Sequence, residues 1–526
     1  QAQKKLINSV DCCVDEALCG FVRANGGLSL LKGHRVVLRS DLENLRGKVA
    51  LVSGGGSGHE PAHGGYVGAG MLSAAVAGGV FASPPPASIL AAILCLHNAG
   101  ASGVLLIVKN YTGDRLNFGL AAEQARNHGI AIDMVVVAED CAFERPSKAG
   151  RRGLCGTVFI HKLAGALAEE GSSLDKIVSK VTEVLKGIGT LGVSLSPCSV
   201  PGCLPSFDLP PGDMELGLGI HGEPGIKRSK VASADEVVKT MLDNMTNPDS
   251  QSHLPLKSGD SVVVCVNNLG ALSRLEMGVV ARAAVICLED RGLVVARVMS
   301  GSFMTSLEMT GASLTVMKYL TVPSLPTDAK TTAPSWPNLS KACVTGRSYL
   351  SEPPTMNTRP QEGPLSAVLR QVLEAVCSTL LEKQEELNSL DRAAGDGDCG
   401  NTHAQAAKVI REWLQSHVVP GCPGQLLSVL AGLVQEKMGG SSGALYSLFL
   451  TAAAGHVSEG RSNPAAWASA MHAGTQAMRR YGGADPGDRT MVKASYIAAE
   501  RVTLPDPGAV AVAAILRAVV EVLEGQ

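Results

Sequence analysis

From Lys48 onward, short apolar runs alternate with segments whose apolar residues recur at helical spacing. Three runs have the character of strands buried on both faces of a sheet, and two segments have helical periodicity: residues 49–52, 103–108 and 132–137, and residues 88–97 and 118–127. Glycine-bearing polar loops are predicted after the first two runs, at 53–61 and 109–114. This alternation predicts a parallel or mixed sheet, with ligands bound beyond the carboxyl ends of its strands.

A second strand-rich region extends from about residue 193 to 320. Its apolar runs at 215–220 and 261–266 lead into polar, glycine-bearing segments at 221–225 and 267–270, which predicts another α/β unit. Residues 321–365 then change character, because eight prolines interrupt a Ser/Thr-rich stretch. We interpret the later part of this stretch as a linker between domains.

The rest of the chain has helical periodicity. Six helices are predicted, at residues 365–390, 404–416, 426–436, 444–456, 464–480 and 509–524. Helices joined by short glycine-bearing loops predict a bundle. The predicted domains are residues 1–338 with two α/β lobes (about 1–190 and 191–338), a linker at 339–365, and a helical domain at 366–526.

Composition narrows the classes of function. The chain has 526 residues, of which 45% are hydrophobic, and 46 basic side chains nearly balance 48 acidic ones. No overall field therefore attracts nucleic acid or an anionic membrane, and an aromatic content of 3% argues against base stacking. The sequence shows no secretory signal and no apolar segment long enough to span a bilayer. Fourteen scattered cysteines without a C-x-x-C spacing predict reduced thiols and a cytosolic location.

Three carboxylates lie on one short, glycine-broken turn: Asp391, Asp396 and Asp398. If they converge, a cation has to neutralise them, and oxygen-only ligands favour Mg²⁺ with phosphate oxygens in its remaining positions. The alternative is an ordinary solvated acidic loop. An EF-hand is excluded, because Ala407 stands where a bidentate Glu is needed. The segment 439–443, just before a predicted helix, has backbone N–H groups suited to a phosphate.

Two familiar patterns occur but do not carry function here, and a third is absent. Residues 59–63 fit H-E-x-x-H, but Pro61 prevents the single helix that a zinc site of this kind requires. Residues 217–222 fit G-x-G-x-x-G, but Pro224 and Gly225 break the helix that a dinucleotide fingerprint opens. The sequence also has no Walker-type G-x-x-x-x-G-K-[ST] motif. A phosphoryl transfer would therefore proceed without a P-loop.

A polar set remains at predicted strand ends: His59, Lys109, Asp114 and His221. Each one alone has an ordinary structural explanation, such as a hydrogen-bonded histidine or a solvated loop end. Together, in glycine-bearing loops at one sheet edge, they predict a site for a small polar ligand.

Six segments, in order, resemble the ATP-dependent dihydroxyacetone kinases, and within that family the animal members: residues 54–63, 109–119, 217–225, 395–400, 439–443 and 506–508. The resemblance covers nearly the whole chain. It implies a substrate domain followed by a nucleotide-binding helical barrel of eight helices, and a homodimer. It also implies phosphorylation of dihydroxyacetone and glyceraldehyde by ATP.

The resemblance assigns roles to the polar set. His221 would add to the substrate carbonyl as a hemiaminal, which needs a neutral imidazole. His59 and Asp114 would take the proton from the attacking hydroxyl. The residues that would bind substrate are Gly56, Ser57, Gly58, His59, Lys109 and Asp114.

The resemblance also implies that Asp391, Asp396 and Asp398 hold Mg²⁺. The nucleotide would be surrounded by Cys399, Gly400, Asn401, Thr402, Ser441, Ser442, Thr490, Met491, Asp506, Pro507 and Gly508. In animal members the same domain splits FAD into AMP and cyclic FMN, with Mn²⁺ or Co²⁺.

The sequence departs from the family between 486–491 and 494–497, where an insert of about fifty residues, or two helices, is missing. One hypothesis is therefore a catalytically impaired isoform that binds carbonyl ligands or regulates. Another is a phosphotransferase fed by a carrier protein with bound ADP, although two domains on one chain favour exchangeable ATP.

Overall fold

The apolar runs near the N-terminus form a sheet in the computed structural model, which describes residues 5–205, 207–318, 326–337, 339–353, 361–392, 397–438, 440–458, 460–482 and 505–525. Its strands are β1 (Leu28–Leu30), β2 (Val36–Arg39), β3 (Val49–Ser57), β4 (Ala74–Val80), β5 (Gly103–Lys109) and β6 (Ile132–Val137). The strand order is β1-β2-β4-β3-β5-β6, and β4, β3, β5 and β6 are parallel. We call the part built on this sheet the first lobe.

Both faces of the first sheet are covered. On β5, Val104, Leu106 and Val108 face one core, while Leu105 and Ile107 face another on the opposite side. The helices of this lobe are α1 (Cys13–Ala24), α2 (Pro86–Asn98), α3 (Thr112–Asn127), α4 (Thr157–Glu169) and α5 (Leu174–Val184). Nearly every residue of α4 is buried, so it is a core helix without a polar face.

The second lobe contains a mixed sheet of β7 (Ile188–Ser194), β8 (Asp213–Leu216), β9 (Lys227–Lys230), β10 (Ser261–Asn268), β11 (Val294–Gly301) and β12 (Gly311–Lys318). The strand order is β11-β10-β12-β7-β8-β9, and only β10 and β11 pair in parallel among these strands. Helices α6 (Ala234–Met245) and α7 (Arg274–Asp290) belong to this lobe. On β10, Val263 and Cys265 join the same core as Leu105, which packs the two lobes together.

Two predicted boundaries in the first lobe are wrong, and both concern the candidate site. The predicted loop at 53–61 begins as strand, because β3 continues to Ser57 with Gly54 and Gly55 paired to β4. A Cβ on Gly54 would lie 2.2 Å from the carbonyl oxygen of Val76, so glycine permits this close pairing. Helix α3 begins at Thr112 rather than at 118, which places Asp114 in its first turn, where the helix dipole favours a carboxylate.

The C-terminal part is helical, as predicted. Its described helices are α8 (Ser366–Glu382), α9 (Gln384–Asp391), α10 (Cys399–Ser416), α11 (Pro423–Lys437), α12 (Gly440–Ala454), α13 (Pro464–Gly482) and α14 (Pro507–Glu524). The predicted helix at 365–390 is wrong as a single element, because it divides at Lys383. The start of α12 is also earlier than predicted, so Ser441 and Ser442 lie within its first turn.

The chain divides by its contacts into Gln1–Ser351 and Glu352–Gln526, within the predicted linker. Before this division it returns to the first lobe, where the N–H groups of Thr332 and Ser335 donate to the carbonyls of Ala69 and Gly65 at 3.1 and 2.9 Å. Val344 then donates to Val295 of the second sheet at 3.0 Å. The early part of the predicted linker is thus bonded to the second lobe. The domain boundaries given in the sequence analysis stay a prediction. The predicted α/β class for the N-terminal part and the all-α class for the C-terminal part are confirmed.

Candidate active site

His59 lies buried in the turn after β3, and both nitrogens of its imidazole have hydrogen-bond partners. Its Nδ1 lies 2.8 Å from the carbonyl oxygen of Thr305 in the second lobe. Since a carbonyl only accepts, Nδ1 carries the proton and Nε2 is the bare nitrogen. That Nε2 lies 3.1 Å from Nε2 of His221. Residues 59–63 are not helical, as Pro61 predicts.

His221 comes from the second lobe, in the loop between β8 and β9, and is partly exposed. Three aromatic rings surround its imidazole, those of His59, Phe81 and Tyr111, with centroids at 4.8, 5.2 and 4.6 Å, all near perpendicular. Its Nδ1 donates to Oε1 of Glu223 at 3.1 Å. The predicted meeting of His59 and His221 at one site therefore occurs through a junction of the two lobes.

Several buried polar atoms beside this pair have no hydrogen-bond partner among the described residues: Lys109 Nζ, Asp114 Oδ1, Tyr111 OH and His63 Nε2. Lys109 ends β5 and is fully buried, with its Nζ 5.3 Å from the Tyr111 ring centroid. Buried groups left unsatisfied cost about 1–3 kcal/mol each, so a cluster of them points to a polar ligand. A Cβ on Gly55 would lie 3.5 Å from His63 Nε2 and 3.7 Å from Lys109 Nζ, so this glycine keeps the space between them open.

Burial sets the protonation of the cluster. It lowers the pKa of His59 well below the ordinary histidine value, and the charges of Lys109 and His221 lower it further. Burial also lowers the pKa of Lys109, although the charges of Asp114, Glu223 and Glu139 act in the opposite direction. The site therefore presents a neutral His59 and a lysine whose charge is costly without a ligand.

The other predicted substrate residues are largely engaged in the fold. The Ser57 hydroxyl donates to the carbonyl of Gly78 at 2.9 Å. A Cβ on Gly56 would lie 2.7 Å from the backbone nitrogen of Ala82, and the N–H of Gly58 donates to the Glu60 carboxylate. These residues shape the wall beside His59.

Buried histidines predict a loss of stability in acid. Burial, followed by neighbouring charges, lowers the pKa of His59 and His63 well below the ordinary value and that of His161 to about 3. Below about pH 6.5 the unfolded chain therefore binds more protons than the folded chain, and the free energy of unfolding falls with pH by up to about 1.4 kcal/mol per pH unit for each histidine. In His161→Gln the free energy of unfolding should fall less steeply with decreasing pH, by up to about 1.4 kcal/mol per pH unit. Urea unfolding at several pH values measures it.

The matched control is His97→Gln on α2, because His97 is exposed. This variant should keep the slope of the wild-type protein. Equal slopes for His161→Gln and the wild-type protein would contradict the prediction.

In the helical unit, Asp391 ends α9 and its Oδ2 accepts the N–H groups of Asp398 and Cys399 at 3.0 and 3.1 Å. This brings Asp391 beside Asp398, which precedes α10. Asp396 lies outside the described residues, as do Thr490 and Met491. Among the described residues no metal-holding group of three His, Cys, Asp or Glu occurs. Asp391 and Asp398 are oxygen donors, which is the kind of ligand that a hard cation takes.

The remaining predicted nucleotide residues hold the helix ends. A Cβ on Gly400 would lie 1.8 Å from the carbonyl oxygen of Gln384, so glycine allows α9 and α10 to approach. Asn401 Oδ1 accepts from the side chains of Gln384 and Asn388, and Thr402 Oγ1 donates to the Asp398 carbonyl at 3.1 Å. Asp506 caps α14, with Pro507 and Gly508 in its first turn, by accepting the N–H of Ala509 at 2.7 Å.

The chain is similar to known proteins over nearly its whole length. A Dak1 domain model matches residues 19–335 and a DAK2 domain model matches residues 393–494. The chain is 54% identical over 576 residues to triokinase/FMN cyclase of Homo sapiens, with 99% of each chain covered. The chain belongs to the dihydroxyacetone kinase family.

This family member is also similar to a second mammalian protein and to a bacterial crystal structure. It is 52% identical over 575 residues to triokinase/FMN cyclase of Rattus norvegicus, covering 99% of both. It is similar to the crystal structure of the dihydroxyacetone kinase from C. freundii in complex with AMP-PNP and Mg²⁺, with a TM-score of 0.73, 34% identity, and coverage of 99% of this chain and 100% of that chain. Within the described part of this family member, no helix has both the length and the apolar character needed to cross a bilayer.

Sequence reasoning missed several residues at the histidine pair of this dihydroxyacetone kinase family member. The sequence did contain a signal for Glu223, because this residue lies two positions after His221 in the same glycine-bearing segment. Thr305 and Phe81 had none, since each reaches the site through folding of distant segments. Arg152 also had none, although its Nη2 donates to the Gly217 carbonyl at 2.6 Å and so holds the loop that carries His221.

Proposed function

We propose that the chain phosphorylates dihydroxyacetone and glyceraldehyde with ATP. The observation that carries this proposal is the His59–His221 pair beside the unpartnered Lys109 and Asp114, which suits a small carbonyl compound with hydroxyl groups. The names of the relatives, triokinase/FMN cyclase and dihydroxyacetone kinase, support the same activity.

The first step of this proposal is capture of the carbonyl by His221. The Nε2 lone pair adds to the carbonyl carbon to give a hemiaminal, which glycerol cannot form because it has no carbonyl group. Lys109 would donate to a substrate oxygen and thereby gain the partner that it lacks in the free protein. Gly56, Ser57, Gly58 and His59 would line the hydroxyl positions.

Transfer of the phosphoryl group then requires loss of a hydroxyl proton. Asp114 is the base favoured by the geometry, since its Oδ1 is buried without a partner. His59 is neutral because burial lowers its pKa, so its bare Nε2 accepts a hydrogen bond from the substrate rather than carrying a charge. The two residues together would orient and deprotonate the attacking hydroxyl.

The acidic turn would hold Mg²⁺ through Asp391, Asp396 and Asp398. The close approach of Asp391 to the backbone of Asp398 supports this assignment. Mg²⁺ bound there would neutralise charge that develops on the phosphoryl oxygens. Around the nucleotide we place Cys399, Gly400, Asn401, Thr402, Ser441, Ser442, Thr490, Met491, Asp506, Pro507 and Gly508.

We also propose that the helical unit splits FAD into AMP and cyclic FMN, with Mn²⁺ or Co²⁺. The name of the human relative supports this second activity. A ribityl hydroxyl of the bound dinucleotide would attack its own phosphorus, which replaces an external acceptor. A homodimer and a cytosolic location are part of the same proposal.

One observation favours a second candidate function, a catalytically impaired carbonyl-binding or regulatory protein. The alignment with the human relative extends over 576 residues, against 526 in this chain, so at least 50 aligned positions have no counterpart here. This supports the predicted loss of about two helices near 491–494. The loss of neighbouring helices would leave apolar side chains exposed on the helices that remain. Such side chains are exposed on α13 and α14: Trp467, Met471, Leu516, Val520 and Leu523.

A coupled assay with Mg²⁺ and ATP tests the proposed kinase. We expect turnover with dihydroxyacetone and glyceraldehyde, and none with glycerol. Absence of turnover with either triose, in a protein that still binds dihydroxyacetone, would support the impaired form instead. Titration with a fluorescent nucleotide locates the defect: an affinity equal to that of a full-length relative would exclude damage to the helical unit.

A further inference from the structure

The Glu223 carboxylate accepts two hydrogen bonds from His221, one from its ring and one from its backbone N–H. Its Oε1 accepts from Nδ1 of the ring at 3.1 Å and its Oε2 accepts the backbone N–H of His221 at 3.0 Å. We propose that Glu223, in the loop that Arg152 ties to Asp140, is the positioning residue that keeps the proton on Nδ1, aims Nε2 at the substrate carbonyl and neutralises the ring when the hemiaminal forms. This inference rests on the proposed function.

The loop is built to hold this carboxylate. A Cβ on Gly219 would lie 1.8 Å from Oε2 of Glu223 and 2.7 Å from Nη1 of Arg152, so only glycine leaves room for both side chains. The N–H of Gly219 also donates to the Glu223 carbonyl at 3.0 Å. The carboxylate therefore has little freedom to leave the imidazole.

Arg152 ties the loop to the first lobe. Its Nε donates to Oδ2 of Asp140 at 2.6 Å, and its Nη2 donates to the Gly217 carbonyl at 2.6 Å. Partial burial alone would raise the pKa of Glu223, but the hydrogen bond and charge of His221, together with the charge of Arg152, lower it to about 2. Glu223 is thus a carboxylate throughout the neutral pH range.

The proton positions around His221 follow from its neighbours. His59 Nε2 is bare, because the Thr305 carbonyl takes the proton on Nδ1, and it faces Nε2 of His221. Glu223 accepts on the other side of the ring. Both ring nitrogens of His221 therefore face acceptors in the free protein, and any proton on Nε2 has to leave before Nε2 can react.

The addition then balances without an outside reagent. The Nε2 proton passes to His59 Nε2, the Nε2 lone pair forms the bond to the carbonyl carbon, and the C=O π pair moves to oxygen. That oxygen takes the proton back from His59, whose lowered pKa makes it a ready donor. The ring keeps its Nδ1 proton throughout. It is neutral while His59 holds the other proton and becomes a cation when Nε2 bonds to carbon, and the Glu223 carboxylate neutralises that cation.

Glu223→Gln tests the role, because it keeps the shape of the side chain and removes the charge. We expect kcat/KM for dihydroxyacetone to fall about 10²- to 10⁴-fold. We also expect the acid limb of its pH profile to move to lower pH, since the imidazolium loses its counter-charge. The titratable groups facing His221 are Glu223, His59 and Tyr111, with the charges of Lys109 and Arg152 nearby. Glu183→Gln, on the exposed side of α5, is the matched control and should behave as wild type.

Dihydroxyacetone labelled with ¹³C at the carbonyl separates this inference from the proposed function. In the wild-type protein the label should shift from a carbonyl to a tetrahedral carbon signal, and in Glu223→Gln that signal should be largely lost. A tetrahedral signal and a pH profile in Glu223→Gln equal to those of the wild-type protein would overturn this inference alone. Absence of the tetrahedral signal in the wild-type protein would instead overturn the capture step of the proposed function. A Glu223→Gln protein that folds poorly is replaced by Glu223→Asp, which should restore the unshifted acid limb.

Discussion

Replacing His221 with alanine should reduce phosphorylation of dihydroxyacetone at least about 10³-fold while leaving FAD splitting unchanged. The substitution removes the nitrogen that would bond to the carbonyl in the proposed function. We propose that FAD splitting takes place in the helical unit, so it should be insensitive to this change. Parallel assays of triose phosphorylation and cyclic FMN release, on one preparation, measure both effects.

His128→Ala is the matched control, because His128 lies exposed at the end of α3. Both activities of this variant should equal those of the wild-type protein. Phosphorylation that persists in His221→Ala within tenfold of the wild-type rate would show that carbonyl capture does not depend on this imidazole.

Asp391→Asn should reduce both activities, each by about 10²- to 10³-fold, because both proposed reactions use the acidic turn. Asparagine keeps an oxygen that can accept the N–H groups of Asp398 and Cys399, so the turn is expected to form, but it removes one negative charge from the proposed metal site. Higher Mg²⁺ should be needed for half-maximal turnover. Activity as a function of Mg²⁺ concentration is the decisive measurement.

The control for this change is Glu386→Gln, which removes a charge from the same helix, α9, where Glu386 pairs with Lys383. Its Mg²⁺ requirement should not change. The metal assignment would be wrong if Asp391→Asn and Glu386→Gln had the same Mg²⁺ dependence.

The sequence was sufficient to predict the components of the candidate site because they follow a general rule of sheets. His59 and Lys109 stand at the carboxyl ends of β3 and β5, and parallel neighbours end at the same edge. Asp114 follows Lys109 closely along the chain. His221 was expected at the same sheet edge as the others, but it follows a strand of the second sheet and reaches His59 across the two lobes.

The surroundings of the site were not predictable from local pattern. Thr305 and Arg152 act through single backbone or side-chain contacts between segments far apart in sequence, and such contacts leave no periodicity. Helix α4 was missed because it is buried on nearly every side, so it lacks the amphipathic spacing that identifies surface helices. The early start of α3 was missed because Thr112 and Gly113 favour turns when judged singly.

The return of residues 330–336 to the first lobe has a consequence for synthesis on the ribosome. Glycines at 65, 68 and 70 leave no room for a Cβ against this segment, and Ala333 and Trp336 are buried there. The surface that it covers stays open until roughly 200 residues after β6 have been translated, on the order of 10–40 s. A nascent first lobe is therefore incomplete for most of that time, and a chaperone that recognises apolar surface would find its binding site at this uncovered patch.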